Sequence, residues 1–187
     1  MTNEYILEMI ADIYEDHKIS QFGFNLIELA KKMGIIIITY DSFPEEKIPL
    51  LTHFDEDGFS WFNPENETAE IYYNSNIKPI GRLKYTIPHE IYHIEDGHIF
   101  KMKATSEMER DAAEFSRQFY LPQALMLEYK INSVHQVMSL CGVTHTYAST
   151  LINKLEQRIK FYGTTLSPTE RRIVNSFKKN REILLNN

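Results

Sequence analysis

The chain has 187 residues, of which 43% are hydrophobic and 25% charged, and a formal net charge of −6. That length suits one domain, or one domain with a small appendage, and is ample for a real core. Seven Gly and seven Pro exclude collagenous or low-complexity character, and the apolar fraction excludes wholesale disorder. A single cysteine, Cys141, excludes an intramolecular disulfide and any multi-cysteine zinc site. The start, Met1-Thr2-Asn3-Glu4, lacks the basic region of a signal peptide. The longest apolar run, Ile35-Ile36-Ile37-Ile38, is too short to span a bilayer. These features predict a soluble, cytoplasmic protein without a membrane partner, and the acidic balance weighs against a generic nucleic-acid binder.

In chain order, Tyr5 to Tyr14 has apolar residues at helical spacing and predicts a helix that covers a core. A second helix is expected from an Asn25 N-cap to Met33, with Gly34 as its stop signal. Ile35 to Tyr40 is β-branched and bounded by Asp41-Ser42-Phe43-Pro44, which reads as a buried strand. From Glu45 to Asn76 the texture is β-like. The turn signal Asp57-Gly58 precedes Phe59-Ser60-Trp61-Phe62, and Asn63-Pro64-Glu65-Asn66 separates that run from Ala69-Glu70-Ile71-Tyr72-Tyr73. From Gly81 onward every signal is helical. The outline is α+β, a small, mostly N-terminal sheet followed by a helical half. Residues 1–125 are expected to form one domain, with 126–187 a helical C-terminal region.

The segment Thr86-Ile87-Pro88-His89-Glu90-Ile91-Tyr92-His93 contains H-E-x-x-H. On a helix, residues four apart share a face, so both imidazoles project to the same side and suit two positions of a zinc shell. Glu90 is rotated about 100° from His89, placed to flank a metal ion and accept a proton from water. Ile87, Ile91 and Ile94 give this helix a buried face, and Gly97 ends it. A catalytic zinc site needs a third protein ligand. His98, just past the helix end, reads as a surface or outer-shell residue. The other source is the next helix, Ser106 through Leu121, with Glu107, Glu109, Asp111 and Glu114 as candidates. Its apolar arc is Met108, Ala112, Phe115 and Phe119. Asp111 lies roughly 40° from Phe115, and Glu109 lies on the arc's other flank, so periodicity favours Asp111.

The run from Ile71 to Pro122 resembles the ImmA/IrrE family of zinc-dependent metallopeptidases. The resemblance rests on Ile71-Tyr72-Tyr73-Asn74, Arg82, Tyr85-Thr86, His89 to His93, Gly97-His98, Glu109-Arg110-Asp111-Ala112-Ala113-Glu114-Phe115-Ser116 and Leu121-Pro122. The helix and strand between Asn25 and Tyr40 also look like the family's opening. The resemblance implies a zincin-like fold, a Zn2+ cofactor held by His89, His93 and Asp111, and Glu90 as general base. It implies a protein substrate, a helix-turn-helix repressor of a phage or integrative element. Tyr72, Tyr73, Tyr85, Tyr92 and His98 are open choices for stabilising the oxyanion. The Ala69–Tyr73 strand is either an edge that binds substrate or an interior strand. Two positions depart from the family pattern. Pro88 removes a backbone donor inside the helix and should kink the turn entering the site, and Tyr92 adds bulk where Gly or Ala is usual. These departures leave a second expectation, a weak or inactive relative that acts as a repressor-binding module.

Further on, Ser133 to Leu151 resembles a helix-turn-helix with Gly142 at the turn and Val143 packed behind it. Its outward residues are mostly Thr, Ser and His rather than base-reading side chains, so it reads as scaffold or partner surface. The last helix opens at Ser167-Pro168-Thr169-Glu170 and carries Arg171, Arg172, Lys178, Lys179 and Arg181. Cys141 reads as a small buried residue.

Overall fold

The computed structural model describes residues 4–100 and 105–185; residues 1–3, part of the stretch read for a signal peptide, lie outside it. In chain order the elements are α1 (Glu4–Asp16), α2 (Leu26–Lys32), β1 (Ile36–Thr39), α3 (Ile48–Phe54), β2 (Gly58–Asn63), β3 (Thr68–Tyr73), α4 (Leu83–Glu95), α5 (Ser106–Phe119), α6 (Gln123–Glu128), α7 (Val134–Cys141), α8 (His145–Tyr162) and α9 (Pro168–Leu185). Short 3-10 turns occupy Tyr40–Ser42, Glu45–Lys47, Ile80–Arg82 and His98–Phe100. The class is α+β, as expected. Among the described residues no helix is long and apolar enough to cross a membrane.

The chain divides into two compact units, residues 25–116 and residues 1–24 together with 117–187, with the division inside α5. This differs from the boundary expected after residue 125. The reason is non-local: α1 packs along α9, and Arg172 reaches both Asp12 and Glu15 at 2.8 Å. Ser176 and Asn180 donate to the Tyr14 carbonyl at 3.2 and 3.3 Å. Pairing of the chain's two ends leaves no mark in local periodicity.

In the unit 25–116, Asn25 caps α2 as predicted, its Oδ1 accepting from the backbone N–H of Ile27 and Glu28 at 3.0 and 3.2 Å. Gly34 follows at φ +80°, a conformation that favours glycine. The sheet has strand order β1-β3-β2. β1 runs parallel to β3, Ile36 opposite Glu70 and Thr39 opposite Tyr73, while β2 is antiparallel to it, Gly58 opposite Tyr73 and Asn63 opposite Thr68. β3 is therefore the interior strand, and β1 and β2 are edges. Contrary to expectation, β1 is not buried: Ile36 is exposed and residues 37–39 are half-buried, leaving only the flanking Ile35 and Tyr40 inside. An edge strand has a neighbour on one side only. The stretch Glu45–Phe54, expected to be β-like, is instead helical, with Pro49 in the first turn of α3, where its missing donor costs nothing.

α4 lies against β2 and β3 and α2 lies against α4. Ile87 and Ile91 are buried, together with Ile71 of β3. Arg82, at the entry to α4, holds both carboxylate oxygens of Asp57 from one guanidinium nitrogen at 2.6 and 2.8 Å, which ties that entry to the start of β2. The helix continues through Pro88 to Glu95 as one element.

The other unit is helical, with an aromatic core. Tyr14 meets Phe24 and Phe119 edge-on at 6.2 Å, and its hydroxyl donates to the Phe119 carbonyl at 2.9 Å. The helix-turn-helix outline is present: α7 ends at Gly142 in the left-handed conformation (φ 60°), Val143 is buried, and α8 follows. A capping box between Ser133 and Gln136 starts α7. Cys141 is buried, as expected. The basic residues of α9 are partly engaged within the unit, Arg172 as above and Lys178 with Glu128.

Removing the Phe119 ring should open a cavity that the crossed aromatic rings cannot fill. Phe119→Ala should destabilise by about 3–5 kcal/mol, whereas Arg172→Ala, which removes two exposed ion pairs, should cost about 0–1 kcal/mol. Urea unfolding followed by circular dichroism compares them, and equal losses would contradict this account of the core.

Candidate metal centre

The unit 25–116 contains a group of three side chains whose donor atoms all lie within 4.8 Å of one another: His89, His93 and Glu109. The two histidines stand one turn apart on α4, and their Nε2 atoms are 3.1 Å apart. Glu109, in the first turn of α5, brings one carboxylate oxygen to 3.2 Å from His89 Nε2 and the other to 3.5 Å from His93 Nε2. The donor set, two imidazole nitrogens and a carboxylate, is of a kind that could hold a metal ion such as Zn2+. His93 is buried, and burial together with the neighbouring His89 lowers its pKa to about 4. The ring is thus neutral near pH 7, the form a ligand requires.

Asp111 is not part of this group. Its carboxylate lies 3.9 Å from Arg110 Nε. Asp111 and Glu109 sit two residues apart, about 160° around the helix, and so on opposite flanks of the apolar arc. Met108, Ala112, Phe115 and Phe119 do form the buried arc, as predicted. Periodicity locates the arc but does not say which flank faces α4. The Glu109 flank does, and glutamate's extra methylene lengthens its reach.

Glu90, the neighbour of His89 on α4, is buried and accepts a 2.7 Å hydrogen bond from the Ser60 hydroxyl on β2. Burial pushes its pKa up to about 8, against the opposing effect of the Ser60 hydroxyl. Nothing in the local sequence marks Ser60, because it comes from a strand thirty residues upstream.

The remaining candidates fall in distinct places. His98 is buried rather than exposed, and its Nδ1 lies 2.9 Å from His93 Nδ1, on the side of the ring away from the donor group. Tyr92 is 2% exposed, its ring 5.3 Å from that of Phe115 and 5.6 Å from that of His98. Tyr85 is half-buried one turn before His89, with ring centroids 5.8 Å apart. Tyr72 donates to Glu70 at 2.5 Å, and Tyr73 is buried. Comparison of the chain with protein-family models, curated proteins and solved structures gives no match.

If the geometry defines the ligand set, Glu109→Ala should lower zinc occupancy sharply while Asp111→Ala leaves it near one ion per chain. Elemental analysis of the purified variants distinguishes the two, and retention by Glu109→Ala with loss from Asp111→Ala would reverse the assignment.

Proposed function

We propose that this protein is a zinc-dependent endopeptidase. The observation that carries the reading is the convergence of His89 Nε2, His93 Nε2 and the Glu109 carboxylate next to a buried glutamate, Glu90, that follows the first histidine. A divalent ion such as Zn2+ held by His89, His93 and Glu109 would supply Lewis-acid chemistry, polarising the scissile carbonyl and making a water molecule acidic.

The chain's own residues divide the remaining work. Glu90 accepts the proton of the attacking water and delivers it to the leaving amine. Its low-polarity surroundings favour such a proton carrier, since a carboxylate held up near neutral pH both takes and gives a proton readily. Ser60 fixes the orientation of Glu90 through the 2.7 Å hydrogen bond. Among the described residues β2 has a strand partner only in β3, which leaves its other edge to receive an extended peptide, and Ser60 on that strand would bring such a peptide beside Glu90. Tyr85 is the hydroxyl side chain on the His89 side of α4 suited to the oxyanion, whereas His98 and Tyr92 are committed to the opposite side.

The substrate class rests on the sequence resemblance: a helix-turn-helix repressor of a phage or mobile element, cleaved in the cytoplasm. The Gly142 helix-turn-helix and the partly paired basic residues of α9 belong to scaffold rather than to a DNA-reading surface in this reading.

The test is cleavage itself. The zinc-loaded protein should generate new peptide N-termini from a proteome-derived peptide library, detected by mass spectrometry, and Glu90→Gln should generate none while retaining zinc. A wild-type protein that binds zinc and cleaves nothing in that library would displace the peptidase reading in favour of a binding module.

A further inference from the structure

The proposed metal centre leaves one buried histidine without a role, and its surroundings supply one. After α4 the chain turns at Gly97 (φ +68°), and the turn folds His98 back against the end of the helix that carries His93. His98 Nδ1 lies 2.9 Å from His93 Nδ1, and His98 Nε2 lies 2.5 Å from Asp96 Oδ2. His98 is 7% exposed, and the Tyr92 ring packs on it edge-on at 5.6 Å. Asp96, His98 and His93 thus form a linear chain of contacts that ends at the metal-facing nitrogen.

The proton positions along this chain follow from the partners. The Asp96 carboxylate faces His98 Nε2 at 2.5 Å, so a proton of the His98 ring is best placed on that nitrogen. In the neutral ring the other nitrogen is then an acceptor, and the group facing it, His93 Nδ1, must donate. That leaves His93 Nε2 as a bare lone pair, and this atom is the one 3.5 Å from Glu109 and 3.1 Å from His89 Nε2. With His98 neutral, the arrangement favours the His93 tautomer whose Nε2 lone pair faces His89 and Glu109.

We propose that Asp96 and His98 are positioning residues for the metal centre: they hold His93 as the Nδ1–H tautomer, fix the plane of its ring and increase the basicity of its Nε2. This rests on the reading of His89, His93 and Glu109 as ligands. Neither Asp96 nor His98 touches the reacting atoms. Their effect runs through His93, as a hydrogen-bonded partner behind a ligating imidazole does in metal sites generally.

Two substitutions of similar size separate hydrogen bonding from packing. His98→Leu fills the space but offers no acceptor, while His98→Gln keeps a carbonyl oxygen for the His93 Nδ1–H. Zinc affinity of the purified full chain, measured by chelator competition, should fall about 10–100-fold in His98→Leu and in Asp96→Ala, and recover most of that loss in His98→Gln. Ring 1H–15N correlation spectra of the metal-free protein should show His93 as the Nδ1–H tautomer in the wild type and a mixture in His98→Leu. The Co2+-substituted His98→Leu protein should show a shifted visible spectrum.

Wild-type affinity in His98→Leu, or equal losses in the leucine and glutamine variants, overturns the proposal. Should His98→Leu fail to fold, Asp96→Ala carries the same comparison, and wild-type affinity there overturns it too. A wild-type chain that binds no zinc removes the metal-centre reading itself, an outcome distinct from variants that match a zinc-binding wild type.

Discussion

A helix buried against a sheet while carrying two imidazoles and a carboxylate must provide a partner for each of them. α4 is such a helix: Glu90 and His93 are inside, beside Ile87 and Ile91. Burying an unpartnered polar group costs roughly 1–3 kcal/mol and more for a charge, a large fraction of a small protein's net stability. The elements around α4 therefore each deliver a polar group as well as apolar cover. β2 supplies Ser60 to Glu90, the turn after Gly97 supplies His98 to His93, and α5 supplies Glu109 to both histidines. Position on the sheet is thereby tied to the chemistry, because each partner is right only in one register.

That dependence explains which features are legible in the sequence. Signals that act within one element read correctly: the Asn25 cap and Gly34 stop of α2, the turn at Gly142, the Met108-Ala112-Phe115-Phe119 arc and the His89–His93 spacing. Each is set by backbone geometry over a few residues. Features that depend on a neighbour do not read. Strand β1 has the composition of a buried strand, yet its place at the sheet edge exposes Ile36. Periodicity favours Asp111, yet the carboxylate that meets the histidines is Glu109 on the arc's other flank, because the direction of approach of α4 decides. Ser60 carries no local mark at all.

The division of the chain follows the same logic at longer range. α1 has a clear apolar face, but the sequence does not say that this face meets α9, more than 150 residues away. α1 and α9 pack together, with Ile10 and Tyr14 of one and Ile173 and Phe177 of the other all buried, and Arg172 bridges to Asp12 and Glu15 at the surface. Closing so long a loop carries an entropic cost that grows only slowly with length, so an apolar helix pair offsets it readily. The N-terminal residues 1–24 accordingly belong with the C-terminal helices, and the compact unit that holds the candidate site is the stretch 25–116 alone.

Tyr92 shows how a departure from a familiar pattern is absorbed. It stands inside the H-E-x-x-H segment, one residue before a proposed ligand, where its ring would crowd a metal if it shared the histidine face. A step of one residue turns it about 100° from His93, and the structure places it in the core, against Phe115 on one side and His98 on the other. A glycine or alanine there would leave His98 without that wall, and a buried imidazole without lateral packing samples more orientations. The bulk is therefore directed away from the His89–His93–Glu109 group and toward Phe115 and His98. The large side chain and the buried His98 are complementary, and the opposite side of α4 is left to His89, His93 and the approaching carboxylate of Glu109.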